Sequence, residues 1–171
     1  MKPLQRLSPD LSNQPPTPNG DGAAFVLERF LPYRLSVLTN TMSRAFARTY
    51  GKRFGLSIPE WRVMAALGRF APLSANEVAE RTAMDKVRVS RAVARLMKVG
   101  LIDRAVATDD RRRSALKLSR AGKRVHEGIV PLARRFETAF MASLSDEERA
   151  ALDRLMTRLM DNAVALDRDG F

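Results

Sequence analysis

The sequence predicts a mainly α-helical fold with a small β-wing, and three observations carry that expectation. Apolar residues recur at helical spacing through most of the 171 residues. Ser-x-x-Glu capping boxes at Ser57, Ser74 and Ser145 mark helix starts. Residues 84–118 read as a basic helix, a glycine stop, a short strand, an arginine-rich tip and a second strand. Two short helices in tandem, the second strongly basic and followed by a hairpin, describe a winged helix-turn-helix domain. Apolar helices on either side flank it, and a dimer would bury them.

Taken in order, residues 1–22 hold five of the nine prolines together with Ser, Asn, Gly and Asp, a composition that predicts a disordered tail. From residue 23 to 50, Phe25, Phe30, Leu31, Leu35, Leu38, Met42 and Phe46 fall at helical spacing. Pro32 should kink this helix or mark the start of its regular part, and residues 51–55 close it. Ser57 and Glu60, with Pro59 among the first helical positions, start a helix carrying Trp61, Val63, Met64 and Leu67. It ends within residues 68–72. Ser74 and Glu77 begin a short helix to Arg81, and Thr82 and Ala83 make a tight turn. The next helix runs over residues 85–99 and stops at Gly100 in a left-handed cap. Residues 101–106 and 114–118 are strand-like around a charged tip at 107–113. Ser119 caps a helix to about residue 143 whose apolar positions are Val125, Ile129, Leu132, Phe136 and Phe140. Ser145 and Glu148 open a last helix, with Leu152, Leu155, Met156, Leu159 and Met160 on it. The expected organisation is a tail at 1–22, a folded region at 23–166 and a short tail at 167–171. Within the folded region, a DNA-binding lobe spans 56–118 and dimerisation helices span 23–51 and 119–166.

Charge points to the partner. The formal net charge is +11, and residues 81–113 carry ten basic side chains against four acids, which is +6 of it. A polyanion is drawn to such a patch by release of its condensed counterions. Within residues 85–99, Val89, Ala92, Val93 and Leu96 form one buried stripe. Lys86, Arg88, Ser90, Arg91, Arg95 and Lys98 face away from it. The N-terminal end of such a helix reaches base edges most easily. Lys86, Arg88 and Arg91 are therefore the candidate base readers, with Val87 suited to a thymine methyl group. Ser90 suits a phosphate oxygen, and Arg95 and Lys98 the DNA backbone or solvent. At the tip, Arg111, Arg112 and Arg113 can enter a minor groove, with Asp109 or Asp110 ordering them. The competing readings are a solvated basic face and a charged turn.

DKVRVSRAVARLMKVGLIDR at 85–104 and DDRRRSALKLSRAG at 109–122 resemble the multiple-antibiotic-resistance regulator (MarR) family of bacterial winged-helix repressors. The resemblance covers roughly residues 23–166. Its most specific part is Asp110, Arg111 and Arg112, followed by Leu118, Ser119 and Gly122. It implies an obligate homodimer on a near-palindromic double-stranded DNA operator, released in many members by a small aromatic or anionic ligand. It also gives the wing contact to Arg111 or Arg112, and recognition-helix roles to Ser90 and Arg91. The chain has no cysteine, which departs from the peroxide-sensing branch.

Tyr33, Arg34, Val37, Leu38, Trp61 and Met64 are the candidate lining of an effector pocket, with Arg34 pairing an acidic ligand. Trp61 and Met64 fit equally as core residues of an amphipathic helix. His126, the one histidine, is expected at a surface or interface. No nucleophile motif, glycine-rich phosphate loop or metal-ligand cluster is visible, so neither an enzyme nor a cofactor or metal is expected. The sequence shows neither a signal peptide nor a membrane span, and a cytoplasmic protein is the default. The alternative function is a nonspecific nucleoid-type DNA binder.

Overall fold

The computed structural model describes residues 25–106 and 114–170. The expected N-terminal tail, Arg111, Arg112 and Arg113 of the wing tip, and Phe171 lie outside them. The chain divides into two compact units, Met1–Thr39 and Asn40–Phe171.

In the first unit a 3₁₀ turn, Leu27–Arg29, precedes helix α1 (Leu31–Phe54), which continues into the second. The helical spacing read from residue 23 onward is thus realised only from Leu31. Pro32 is the reason, because it lacks the N–H for a bond to the preceding turn and its ring would clash with that turn's carbonyl. In the second position of a helix neither cost arises. Phe25 packs edge-on against Phe30, with ring centroids 5.3 Å apart. At its far end α1 runs through Gly51 to Phe54, and Gly55 at φ 66° ends it, within the stop expected at residues 51–55.

In the second unit, α2 (Ile58–Phe70), α3 (Ala75–Thr82) and α4 (Lys86–Lys98) surround one core with strands β1 (Ile102–Val106) and β2 (Ser114–Leu118). The strands pair antiparallel from Ile102 opposite Leu118 to Val106 opposite Ser114. Leu73 adds a single bridge to Leu116, through N–H to O contacts of 3.1 and 2.7 Å. Helix α5 (Arg120–Phe140) follows, then α6 (Asp146–Asp169). All three capping boxes are present, with the Ser57, Ser74 and Ser145 N–H groups each donating to a glutamate 2.7 Å away. Helix α5 stops at Phe140 rather than near residue 143. Both the Nε and one terminal nitrogen of Arg149 donate to the Met141 carbonyl, at 3.2 and 3.0 Å, and hold the turn into α6. Helix α6 runs to Asp169, past the boundary expected at 166.

Tyr50, Val63, Met64, Leu67, Val78, Val89, Leu96, Leu116 and Ile129 are buried together in the core. Each large aliphatic side chain so buried stabilises the fold by about 1.5–3 kcal/mol against exposure. Burial also pushes the Tyr50 phenol up to about 12, with Glu60 adding to the rise and Arg62 opposing it, so the hydroxyl stays protonated. Arg62 ties α2 to α1 through a 3.0 Å bond to the Ser43 hydroxyl.

The corner joining α4, the wing and α5 explains the Leu-Ser-x-x-Gly motif. Gly100, at φ 72°, ends α4 in a Schellman turn, with Leu101 N–H on Leu96 O at 2.9 Å and Gly100 N–H on Met97 O at 3.0 Å. The Ser119 hydroxyl donates to Gly100 O at 2.7 Å and accepts the Gly122 N–H at 3.0 Å. Ser119 N–H donates to Leu101 O at 3.0 Å. That same carbonyl lies where a Cβ on Gly122 would stand. Gly122→Ala is therefore expected to force backbone apart and destabilise by about 1–3 kcal/mol, the usual range for overpacking. A urea titration monitored by Trp61 fluorescence reads the change, and an unshifted midpoint would contradict it.

Candidate nucleic-acid interface

Helix α4 is positioned by its apolar stripe. Val89, Ala92, Val93 and Leu96 are all buried, and at about 100° per residue they occupy one side of the helix. The same geometry puts Val87, Arg91, Ala94 and Lys98 at the centre of the opposite side. Arg88 and Arg95 lie on one flank and Ser90 on the other. Lys86, Val87, Arg88, Ser90, Arg91 and Arg95 are all exposed, Val87 at 58%. The helix starts one residue later than the sequence suggested, because Asp85 is its N-cap and accepts the Arg88 N–H at 2.8 Å. Asp85 also pairs with the Arg88 side chain at 3.2 Å. Neither Lys86 nor Arg91 has a salt-bridge partner among the described residues.

The turn before α4 is tight. Ala83 adopts φ 50°, and Met84 N–H returns to Ala79 O at 3.2 Å. Beside α4, the start of α2 and the middle of α4 enclose a groove of about 180 Å³ lined by Ser57, Pro59, Glu60, Arg88, Arg91 and Ala92. The Glu60 carboxylate there is engaged by the Ser57 N–H.

Arg81, in the 81–113 cluster, is used in packing. The Arg81 guanidinium lies 4.2 Å from the centre of the Phe70 ring, while Arg69 approaches the same ring at 5.4 Å. Arg81 thus clamps the end of α3 to the end of α2. Sequence reasoning counted its charge and missed this packing, because a cation on an aromatic face leaves no spacing signal. The Leu73 bridge was missed for the same kind of reason.

The candidate effector residues fall into two groups. Tyr33, Arg34, Val37 and Leu38 are exposed on the first part of α1. Met64 is 0% exposed and belongs to the core, and Trp61 is half-buried. Trp61 sits in an aromatic cluster with Phe46 at 6.0 Å and Tyr50 at 5.8 Å. His126 stacks on Trp61 at 5.8 Å with its ring tilted only 25°. The Nε2 edge of the imidazole crowds Gly68, where any Cβ would collide with it. Among the described residues no cluster of His, Asp or Glu could hold a metal ion. No described helix is long and apolar enough to cross a membrane.

This geometry defines the class: a winged helix-turn-helix protein whose second helix presents a basic face outward. Comparison with known proteins gives the family. The MarR family model matches residues 54–113. A putative transcriptional regulatory protein for the hcr operon of Thauera aromatica is 30% identical over 116 residues, which are 68% of this chain and 70% of that one. The crystal structure of a probable transcriptional regulator from Pseudomonas aeruginosa is 31% identical, with a TM-score of 0.67, over 78% of this chain and 99% of the other. The PcaV transcriptional regulator of Streptomyces coelicolor, in complex with its natural ligand, is 28% identical with a TM-score of 0.68, over 82% and 99%. The chain belongs to the MarR family of transcriptional regulators.

His126 supplies a pH signature. Burial lowers its pKa below the ordinary 6.5, against an opposing pull from Glu127. The unfolded chain then takes up the proton first as pH falls. The stability contribution is full well above the ordinary 6.5 and is lost progressively as pH falls through it. The melting temperature is expected to drop between about pH 7.5 and pH 5, and His126→Phe, which keeps the stacked ring, should flatten part of that drop. An identical pH profile in the variant would contradict this.

Proposed function

We propose that this MarR-family regulator is a homodimeric repressor that binds a near-palindromic operator in double-stranded DNA and releases it when a small aromatic or anionic ligand binds. The single observation that carries DNA reading is α4, with its apolar stripe sunk in the core and Val87, Arg88, Ser90 and Arg91 outward. In this reading Lys86, Arg88 and Arg91 contact base edges and Val87 meets a thymine methyl. Ser90 and Arg95 bond phosphates, and Arg111, Arg112 and Arg113 of the tip enter the adjacent minor groove. The lobe at 56–118 binds DNA, and the helices at 23–51 and 119–166 carry dimerisation. The protein acts by binding rather than by catalysing a reaction, and it works in the cytoplasm. A nonspecific nucleoid-type binder would need the charge but not a fixed recognition helix.

Two features support the dimer. Phe25, Val26, Leu27, Phe30 and Leu31 are exposed in the first unit. Helix α6 has no buried residue at all, although Leu152, Leu155, Met156, Leu159, Met160 and Val164 lie along it. Apolar area on this scale is buried by a second copy in a two-fold assembly. For the effector, the PcaV relative is in complex with its natural ligand. In this chain Arg34 is the group that would pair with an acid.

Two measurements test the reading. Arg91→Ala should weaken binding to the selected operator by about 1–3 kcal/mol and relax preference at one base position. An even loss across all sequences would place Arg91 on phosphate, and no loss would remove it from the interface. Sedimentation should give a dimer at micromolar concentration, and replacing Leu155, Leu159 and Met160 with glutamate should give a folded monomer or an unfolded chain. A variant that remains dimeric would exclude α6 from the interface.

A further inference from the structure

We infer that Asp85 is a positioning residue for base recognition: it aims the Arg88 guanidinium end-on, so that Arg88 selects guanine. The inference rests on α4 being the base-reading helix. Asp85 Oδ1 accepts the Arg88 backbone N–H at 2.8 Å, while Oδ2 faces Arg88 Nε at 3.2 Å. One carboxylate therefore holds the backbone and the guanidinium base of the same residue. The contact is an ion pair on the Nε side of the guanidinium. The two terminal nitrogens remain for an outside partner, as a parallel pair of donors at the tip of the side chain. Guanine presents two acceptors, N7 and O6, on its major-groove edge and fits that pair, whereas adenine offers one acceptor and a donor.

The pair makes little sense as a source of stability. The side chains are 72% and 55% exposed, and a bridge so open to water adds little to the stability of the fold, though it still biases where the guanidinium lies. It also works against simple phosphate binding, because a carboxylate beside the guanidinium repels a phosphate oxygen. A neutral guanine edge meets no such repulsion. The arginine is held before DNA arrives, so less side-chain freedom is lost on binding. Arg88 is the third residue of α4, in the turn that reaches base edges most easily. Lys86 and Arg91 have no equivalent carboxylate partner among the described residues. Of the three candidate base readers, Arg88 is the one whose direction a neighbouring carboxylate biases in advance.

Asp85→Asn separates this role from capping, because asparagine caps a helix as well as aspartate does but carries no charge to hold Nε. Asp85→Ser is a second uncharged cap. Wild type, both variants, Arg88→Ala and the Asp85→Asn/Arg88→Ala double variant are each used to select duplexes from a randomised pool, which are then sequenced. Helix content is checked by circular dichroism. The wild type should enrich guanine at one position of each half-site. Both Asp85 variants should lose that preference by about tenfold, at the position that Arg88→Ala also loses, while binding random duplex as well as or better than wild type. The double variant should select as Arg88→Ala does. A wild-type motif that survives unchanged in Asp85→Asn and Asp85→Ser overturns the inference, as does a loss at a position Arg88→Ala leaves intact. A wild-type chain that enriches no motif overturns base reading by α4 itself, and this inference with it.

Discussion

The burial of Val89, Ala92, Val93 and Leu96 is the constraint on which the rest of this molecule depends. These four residues take one side of a 13-residue helix out of water, against α2, α3 and the base of the wing. Leu96 is 0% exposed and Val89 1%. Rotating α4 about its axis would exchange that stripe for charged side chains, and a charge taken out of water without a partner costs far more than an apolar group returned to it. The hydrophobic term therefore fixes which way Val87 and Arg91 point. DNA recognition borrows its rigidity from the core, since the side chains that meet the ligand contribute little to holding the helix in place.

A second layer transmits that position to the wing and to α5. The Schellman turn at Gly100 sends the chain from α4 straight into β1, and Ser119 bonds back to Gly100 while capping α5. Leu101 O, Ser119 and Gly122 pack so closely that only a hydrogen fits on Gly122. The end of the recognition helix, both wing strands and the start of α5 thus meet at one corner. Movement of α5 would be felt in α4 through these short contacts, a physical route open to the proposed effector control. His126 and Trp61 make a further contact between α5 and α2 by stacking.

Much of this was legible in the sequence because the signals were local. Capping boxes sit within four residues, the α4 stripe repeats within two turns, and Gly100 and Ser119 declare the ends of elements. The fold class and the face of α4 follow from those patterns, and the Leu-Ser-x-x-Gly motif pointed to the family before its packing explained it. What escaped depends on contacts between distant residues or on backbone states with no residue signature. Leu73 bridges Leu116 as a single residue, too short for an alternating pattern. Arg81 lies on Phe70. Ala83 occupies a left-handed conformation usually left to glycine. The Asp85–Arg88 pair was hidden in plain spacing, since an acid three residues before an arginine is common on any helix. Met64 shows the reverse case: its spacing allowed a pocket or a core, and burial places it in the core.

The exposed apolar face of α6 and the outward basic face of α4 meet in the proposed function: the first would make a two-fold assembly, and the second would be repeated by it. Such an assembly sets two copies of α4 in successive major grooves, about one DNA turn apart. Methylation interference at guanine N7 tests this most directly, because the methyl group blocks the major-groove edge and leaves phosphates and the minor groove untouched. The account predicts loss of binding when guanines are methylated in two half-sites spaced by about 10 base pairs. Binding that is indifferent to N7 methylation at every position would contradict it and return the basic helix to a solvated, phosphate-binding surface.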